Sequence, residues 1–553
     1  MIAIHRFSMV CYFLFFLAPF LSAQNDTPYP IWEKVELAFT SNAAYDNALY
    51  DVREFGAVFT SPTGKTKKLN GFWDGGKSWK IRMLPDEIGI WEYETFCSDG
   101  DNIGLAKQSG KFRVAENKKK APLYRHGALT VNKGDYHVSY NDGTPFFWAA
   151  CTAWNGALKS TDEGWETYLE HRLDHHYTVI QYVTTQWRGA EANAEGEKAF
   201  SGNGPLAINI DFFKRIDKRT DQINDNGLVA APVLLWALPS GPGRHLSPGY
   251  ALPTQDAVRL AKYIVARLQG NHVVWLLGGD GNYKDPYEQR WKHIGQQVFD
   301  SIDNAPVTLH PQGSSWIGEL FKEESWLDII AYQSSHSNER RVVDWINKGP
   351  MANTWHRLPP RPFINMEPNY EEINFKITAE DVRNASYWSL FATPVSGITY
   401  GANGIWPWIQ NEGDLIENHR NPEGRGPSTW RKSIEFPGSR QIGLLSEFMQ
   451  RYDWWTLRPA PGLLVGDPTS EGYDRFIPVV SDNARDLVMA YVPHAMPFTL
   501  RLPFAAKYRV QWFDPISGTM KNADFEPSNG AAQFEPPADQ DWVLVLERAN
   551  PDH

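Results

Sequence analysis

The fold of this chain is decided by the stretch Pro362-Phe-Ile-Asn-Met-Glu367-Pro-Asn-Tyr-Glu371. Residues 363–366 have the length and the apolar character of a short buried strand. Pro368 ends that strand, because proline has no N–H to donate to a sheet ladder. Glu367 is therefore predicted to lie at the carboxyl end of a buried strand. A carboxylate is costly to bury there unless another group pairs with it or uses it.

A second carboxylate ends a similar run upstream, in His272-Val-Val-Trp-Leu-Leu-Gly-Gly-Asp280. The two glycines before it let the backbone and a ligand approach Asp280 closely. Each acid also has an ordinary structural explanation. Glu367 could reach water or pair with an arginine, and Asp280 could cap a turn. Their joint position at the ends of two buried strands favours one shared functional site.

Short apolar segments alternate with helical segments from about residue 125 onward. Eight of them are predicted as strands: residues 146–150, 178–184, 228–236, 272–277, 306–310, 327–332, 362–366 and 397–400. Alternating strands and helices are typical of parallel βα units, and eight units predict a (β/α)8 TIM barrel. A doubly wound open sheet is the alternative that this pattern leaves open.

Two of the helical segments carry clear local signals. Trp165, Leu169 and Leu173 recur at intervals of four residues, which predicts one buried helix face. Thr378 and Asp381 have the spacing of a capping box, which predicts a helix beginning at that point.

All-β domains are predicted on both sides of the barrel. Residues 29–115 contain alternating segments separated by turn residues, which predicts an N-terminal Ig-like β-sandwich. A polar linker follows, and the barrel domain is predicted over residues 122–454. Residues 455–550 return to short strands and predict a C-terminal β-sandwich. A chain of 553 residues is too long for one ordinary core, so several domains are expected.

Residues 1–23 have the pattern of a cleaved secretory signal peptide. Arg6 precedes an apolar run over residues 9–20, and small residues end at Ala23. We therefore expect a secreted or periplasmic protein. The apolar run is too short for a membrane span. The net charge of −11 argues against a nucleic acid or an anionic membrane as partner. No sequence pattern indicates the oligomeric state.

The predicted positions of the two acids point to a reaction. In a barrel, catalytic groups lie at the carboxyl ends of the strands. Asp280 ends the fourth predicted strand and Glu367 ends the seventh, which is the arrangement of the large clan of retaining glycosidases. Acetal cleavage needs an acid that protonates the leaving oxygen and a carboxylate that attacks or supports the anomeric carbon. Asp280 is predicted as the acid/base and Glu367 as the nucleophile.

Aromatic and hydrogen-bonding residues follow many of the predicted strands. As stacking platforms and hydrogen-bonding groups they suit a sugar, although each tryptophan could equally be core and each histidine structural. The predicted substrate-binding residues are Trp154, Gln186, Trp187, Trp236, His310, Gln312, Gln333, His336, Tyr370 and Trp406.

Metal and cofactor chemistry have little support in the sequence. The cluster His171, Asp174, His175 and His176 lies at a predicted helix C-terminus, where histidine is favoured by the helix dipole. There is no His-Glu-x-x-His sequence of the zinc-protease type. We therefore expect no metal site and no cofactor.

The motifs around both acids resemble those of the apiosidase-like glycoside hydrolase barrel. The resemblance rests on Asp280 in Leu276-Leu-Gly-Gly-Asp280 and Glu367 in Asn365-Met-Glu-Pro-Asn-Tyr-Glu371. It implies Glu367 as nucleophile and Asp280 as acid/base. The N-terminal domain resembles the sandwich that often precedes such barrels, and the C-terminal strands resemble a module named for collagen binding in a collagenase. Many members of the wider clan have Asn before the acid, whereas this chain has Gly279. The usual clamp on the sugar 2-hydroxyl must therefore come from elsewhere.

Together, these patterns predict a secreted retaining glycoside hydrolase that acts on a complex plant or algal polysaccharide. Two alternatives remain open. The chain could be a glycan-binding protein with a degenerate barrel, although the presence of both acids argues against that. It could also be a polysaccharide lyase, which would use a Tyr/His or Lys base in place of two acids. The sugar, the linkage and the choice between exo and endo action are not indicated by the sequence.

Overall fold

The computed structural model describes residues 27–300, 304–419, 428–502, 507–523 and 530–549. The predicted signal peptide at residues 1–23 lies outside the described residues. Within the described ranges, no helix combines the length and the apolar character that a membrane span requires. A parallel barrel forms the centre of the chain, and a sheet-rich domain lies on each side of it.

Eight parallel strands form the barrel and are labelled here in chain order. They are β1 Trp148–Thr152, β2 Val179–Val183, β3 Val229–Trp236, β4 Trp275–Gly279, β5 Val307–Thr308, β6 Ile330–Gln333, β7 Phe363–Glu367 and β8 Gly397–Ala402. The helices of this region are Gly156–Lys159, Asp162–Asp174, Ile210–Asp225, Pro248–Ala251, Thr254–Leu268, Glu288–Phe299, Gly318–Phe321, Arg340–Lys348, Pro350–Thr354, Ala379–Ala392, Trp430–Ser433 and Pro437–Met449.

The strands close into a ring in which neighbours pair in sequence order. β8 returns to β1 in parallel register, with Trp148 opposite Gly397 and Cys151 opposite Tyr400. The weakest junction joins β5 to β6 through the single bridge between Thr308 and Ile329. The barrel prediction is confirmed, and the open-sheet alternative is not what is observed. Because all strands run in parallel, their carboxyl ends meet at one mouth of the barrel.

The local sequence signals predicted the helices correctly, but they assigned one side chain to the wrong environment. The capping box is present at the start of helix Ala379–Ala392, with Thr378 and Asp381 exchanging hydrogen bonds. Trp165 and Leu169 are fully buried on helix Asp162–Asp174, as predicted. Leu173 was predicted on the same buried face, but it is 45% exposed. It lies in the last turn of the helix, next to the chain reversal that leads into β2.

The N-terminal domain is a sandwich of a five-stranded and a three-stranded sheet. Its strands are Tyr29–Pro30, Val35–Thr40, Phe55–Thr60, Thr66–Asn70, Phe72–Trp73, Ser78–Met83, Gly89–Cys97 and Ser109–Ala115, with the short helix Ala48–Asp51. Trp79 and Ile81 of the small sheet share one apolar core with Phe59 and Trp91 of the large sheet. The helix Pro122–His126 and the small sheet of Leu129–Thr130, Val138–Tyr140 and Pro145–Phe146 connect this domain to β1.

The C-terminal domain pairs a six-stranded with a three-stranded sheet. Its strands are Arg458–Pro459, Leu464–Val465, Val479–Ser481, Leu487–Val492, Phe498–Arg501, Tyr508–Phe513, Met520–Asn522, Ala531–Phe534 and Trp542–Arg548. Phe498 and Phe534 of the small sheet pack in one core with Trp512 and Leu544 of the large sheet. The sandwich prediction is confirmed on both sides of the barrel.

A buried ion network attaches the N-terminal domain to the barrel. Arg267 on helix Thr254–Leu268 lies 2.5 Å from Asp217 of the neighbouring helix and 2.9 Å from Asp74 of the N-terminal domain. Arg82, also from that domain, lies 3.0 Å from Asp217. All four side chains are at least nine-tenths buried. Burial of these charges is tolerable only because each faces an opposite charge, so the two domains depend on each other at this contact.

A second buried pair attaches the C-terminal domain. Arg383 on helix Ala379–Ala392 donates Nε and Nη2 to the two carboxylate oxygens of Asp541, at 2.9 and 2.6 Å. The Asp541 side chain is 1% exposed and also accepts from the hydroxyl of Tyr491 at 3.0 Å. This bidentate geometry is the arrangement in which a buried charge pair is best satisfied.

Removal of Asp541 is predicted to destabilise the protein strongly, because it leaves the guanidinium of Arg383 buried without its counter-charge. We expect Asp541→Ala to lose about 3–5 kcal/mol of unfolding free energy. The matched control is Asp486→Ala, since Asp486 pairs with Arg548 in the same domain but is 55% exposed. The control should lose no more than about 1 kcal/mol. Chemical denaturation measures both, and equal losses would contradict the prediction.

Candidate active site

Both predicted acids lie at the mouth of the barrel. Glu367 is the last residue of β7, and Asp280 directly follows β4. They share a pocket of about 230 Å³. The pocket is lined by Trp154, Trp187, Arg188, Trp236, Asp280, Gly313, Gln333, Ser335, His336, Glu367, Tyr370, Ile373, Trp406 and His419.

Two histidines hold the carboxylate of Glu367. Nε2 of His336 lies 3.0 Å from Oε1, and Nε2 of His310 lies 3.3 Å from Oε2 in a less well aligned contact. The other ring nitrogen of His336 lies 2.8 Å from the carbonyl oxygen of Pro368. The Glu367 carboxylate and the Pro368 carbonyl thus occupy both nitrogens of the His336 ring.

The ring of His310 connects the two acids. Its Nδ1 accepts a hydrogen bond from the backbone N–H of Asp280 at 3.3 Å. An imidazole that accepts at Nδ1 carries its proton on Nε2, the nitrogen that faces Glu367. One fully buried side chain therefore fixes the tautomer that supports Glu367 and the position of the Asp280 backbone.

The electrostatics push the two pKa values apart. Burial alone would raise the pKa of Glu367, but the hydrogen bonds from His310 and His336 outweigh it and hold that pKa below its usual value. Burial raises the pKa of Asp280; the guanidinium of Arg188 opposes this shift, and the negative charge of Glu367 adds to it. The pocket thus keeps one carboxyl ionised and favours a proton on the other.

Close packing forces Asp280 into its position. Its φ is +52°, a left-handed conformation that few residues other than glycine adopt. A Cβ at Gly279 would lie 2.7 Å from the ring of Trp236, so this position cannot carry a side chain without displacing that ring. Nη2 of Arg188 lies 3.3 Å from Oδ2 of Asp280, in a partly exposed pair. Backbone strain of this kind is common where a functional group must be aimed.

Tryptophans form one wall of the pocket. Trp236 lies 4.1 Å from Trp187 and 5.7 Å from Trp154 between ring centroids, and Trp406 lies 6.1 Å from Trp187. The indole N–H of Trp154 donates to the hydroxyl of Tyr370 at 2.9 Å. Flat aromatic rings of this kind suit the apolar faces of a sugar ring.

The structure brings most of the predicted residues together. Those that line the pocket with both acids are Trp154, Trp187, Trp236, Gln333, His336, Tyr370 and Trp406. Three do not reach its surface. His310 lies behind Glu367. Gln186 turns away and binds the carbonyl of Phe200 and the N–H of Ala199, which fixes the loop after β2. Gln312 lies outside the lining, where its backbone N–H donates to Gly281.

Sequence reasoning missed five residues of the lining. Arg188 directly follows the predicted Gln186–Trp187 pair, so its place after β2 was a usable signal. Gly313, Ser335 and Ile373 also lie in loops that follow strands, but their residue types carry no chemical pattern. His419 comes from a long segment after β8, and no spacing in the sequence connects it to the strand ends.

No group of three or more His, Cys, Asp or Glu side chains in the described parts of the chain is arranged to hold a metal ion. The histidine cluster singled out in the sequence lies away from the pocket. There, His171 stacks on His175 at the end of helix Asp162–Asp174, with ring centroids 4.0 Å apart.

A known protein family matches the barrel region of this chain. The model of the "Apiosidase-like, catalytic domain" family matches residues 132–456, which is more than half of the chain. The chain belongs to the apiosidase-like family. In this apiosidase-like protein, residues 28–98 match a domain of unknown function (DUF5060). Residues 459–547 match the family described as "Putative collagen-binding domain of a collagenase". The resemblance stated from the sequence is confirmed for all three parts.

Solved structures with the same fold are glycoside hydrolases by title. One, titled "Glycoside hydrolase", is 23% identical, covers 78% of this chain and 98% of its own, and has a TM-score of 0.67. A family 5 glycoside hydrolase from Bacteroides vulgatus is 21% identical, with 78% and 95% coverage and a TM-score of 0.67. A "putative glycoside hydrolase" from the same species is 17% identical, with 94% and 100% coverage and a TM-score of 0.69. No curated protein matches the chain. The apiosidase-like protein therefore has the fold of glycoside hydrolases.

Opposite pKa shifts predict opposite effects of neutralising the two acids on stability. A raised pKa means that ionised Asp280 destabilises the folded protein once the pH exceeds the unfolded-state value of about 3.9. A lowered pKa means that ionised Glu367 stabilises it above about pH 4.3, and this contribution is lost as the pH falls through the lower folded-state pKa. At neutral pH, Asp280→Asn should melt above the wild type and Glu367→Gln below it.

Calorimetry between about pH 2 and pH 8 measures both differences. The difference for Asp280→Asn should narrow as the pH falls toward about 4, and that for Glu367→Gln only between about pH 4 and its folded-state pKa of about 2. The two variants serve as controls for each other, because both are isosteric amides in the same pocket. Shifts of the same sign at neutral pH would contradict the electrostatic account.

Proposed function

We propose that this protein is a secreted retaining glycoside hydrolase that cleaves glycosidic bonds in a complex plant or algal polysaccharide. Glu367 acts as the nucleophile and Asp280 as the acid/base. The observation that carries the proposal is the pair of carboxyls at the ends of β4 and β7 in one pocket, with one pKa held low and the other raised. Pairs of titratable groups with diverging pKa values mark acid and base roles.

In the first step, Asp280 donates its proton to the glycosidic oxygen while the bond from that oxygen to the anomeric carbon breaks. A carboxylate oxygen of Glu367 forms an ester with the anomeric carbon, and the leaving sugar departs as an alcohol. In the second step, ionised Asp280 takes a proton from water. The water oxygen attacks the anomeric carbon, the ester bond breaks, and both acids return to their starting states.

The surroundings of each acid suit its role. The contacts with His336 and His310 keep Glu367 ionised, so it does not compete for the proton that Asp280 must hold. After the leaving sugar departs, Asp280 must itself become ionised to act as base. Arg188, 3.3 Å away, stabilises that charged form. The retaining route also needs the two carboxyls about 5–5.5 Å apart. The negative charge of Glu367 contributes to the raised pKa of Asp280, which supports proximity of the two carboxyls.

A sugar is the ligand class that fits the rest of the pocket. The tryptophan wall offers an apolar surface for a ring face, while Gln333 and Tyr370 offer hydrogen-bonding groups on other sides. This combination of aromatic surface and a few convergent polar groups is typical of small-molecule sites. The family membership supports the same class.

Loss of either acid is predicted to remove most of the activity while leaving the fold intact. We expect Glu367→Gln and Asp280→Asn each to reduce turnover by roughly 10² to 10⁴ or more, because each removes a positioned group from the reaction. Asp211→Asn is the control, since that carboxyl is 78% exposed on helix Ile210–Asp225. Release of reducing sugar from a panel of plant and algal polysaccharides measures the rates. Full activity in either acid variant would refute the assignment, and an unsaturated product would indicate a lyase.

Hydrolysis is predicted to retain the anomeric configuration. Two successive displacements at the anomeric carbon, the first by Glu367 and the second by water, leave the product with the configuration of the substrate. Early proton NMR of the released sugar, before mutarotation, identifies the first anomer formed. On an aryl glycoside whose leaving group departs without protonation, azide should also restore turnover to Asp280→Gly and give a glycosyl azide of retained configuration. An inverted first product would instead make Glu367 a general base.

A further inference from the structure

In the proposed site, the residue that binds the 2-hydroxyl of the sugar is still to be identified. In retaining enzymes, hydrogen bonds to the 2-hydroxyl, next to the anomeric carbon, strengthen in the transition state. The residue before the acid cannot supply that bond here, because Gly279 has no side chain and the ring of Trp236 occupies the space where one would begin. Another residue close to Glu367 must therefore supply it.

We propose that Gln333 binds the 2-hydroxyl of the sugar whose bond is cleaved, and so acts as a specificity-determining residue of this site. The inference rests on the proposed glycosidase function. Gln333 is the last residue of β6, the strand that pairs with β7, and it lies directly opposite Glu367 in the register of the two strands. Its backbone is thus held beside the nucleophile.

An irregularity in the sheet accompanies this position. The register between β6 and β7 shifts between Tyr332 and Gln333, so that Tyr332 pairs with Asn365 but Gln333 pairs with Glu367. Tyr332 is buried in a separate apolar cluster, whereas Gln333 lines the pocket. Bulges next to active sites commonly re-aim a side chain in this way. The backbone carbonyl of Gln333 accepts from the N–H of Ser314 at 2.8 Å, which fixes the strand end.

The carboxamide of Gln333 is poised for a ligand. The residue is 95% buried, and its Oε1 has no hydrogen-bond partner within the described structure. An unpaired buried amide oxygen is costly, so the folded protein gains when a hydroxyl reaches it. A carboxamide both accepts and donates, as a hydroxyl does. The indole N–H of Trp236 is also unpartnered, but it only donates and lies on β3, away from the strand beside Glu367.

The proposal is tested by combining a variant of Gln333 with a substrate that lacks the 2-hydroxyl. The probes are the 4-nitrophenyl glycoside of whichever sugar the wild type releases, and the 2-deoxy form of the same glycoside. Gln333→Met keeps the volume but removes both hydrogen-bonding groups. We expect it to lower kcat/KM on the parent glycoside by about 10²-fold or more and on the 2-deoxy glycoside by less than about 5-fold. The wild type should itself discriminate strongly against the 2-deoxy probe.

Gln186→Met is the matched control, because Gln186 is also a buried carboxamide after a strand, yet it binds backbone groups outside the pocket. Any loss in that variant should be equal on both probes. Equal losses for Gln333→Met would show that Gln333 only supports the structure, and would overturn the inference while leaving Glu367-dependent hydrolysis in place. If no hydrolysis depends on Glu367, the proposed function fails and this inference fails with it.

Discussion

Burial of the Glu367 carboxylate is the constraint on which the top of the barrel depends. A lone carboxylate in this position would be too costly to keep ionised. His336 offsets the cost with a hydrogen bond, and its ring is itself held by the carbonyl of Pro368. The same proline that ends the strand in the sequence therefore also anchors the histidine that makes the strand end tolerable. His310 completes the cradle from the neighbouring side of the barrel.

The surroundings of Asp280 differ from those of Glu367, because they compensate its charge less completely. Asp280 has one ion-pair partner within the described ranges, the partly exposed Arg188, and stands in a strained left-handed conformation. The ring of Trp236 occupies the space where a side chain at Gly279 would begin. The backbone, not a side chain at that position, therefore determines where the acid points. Strain and incomplete charge compensation both cost stability, and such costs persist where they serve reactivity. The pocket thus combines one carboxyl that stabilises the fold with one that opposes it.

The hydrophobic periodicity and the residues that end helices and strands were sufficient to predict the barrel, both sandwiches and the strand ends that carry the two acids. These features depend on short-range rules: apolar runs, capping spacings and prolines. Leu173 shows the limit of such rules, because a regular spacing cannot tell that the last turn of a helix faces solvent. The orientations of Gln186 and Gln312 were equally beyond reach, since both follow strands, as Gln333 does, and only three-dimensional packing decides which amide enters the pocket.

The flanking domains matter to the site through the barrel helices that they fix. Arg383 lies on helix Ala379–Ala392, the helix between β7 and β8, and its buried bond to Asp541 ties that helix to the C-terminal sandwich. Arg267 lies on the helix between β3 and β4, which the N-terminal domain holds through Asp74. The two strands that present the acids are therefore each joined to a helix that is clamped from outside the barrel. Because a misplacement of about 1 Å can cost roughly 10²-fold in rate, such clamps contribute to reactivity without touching the substrate.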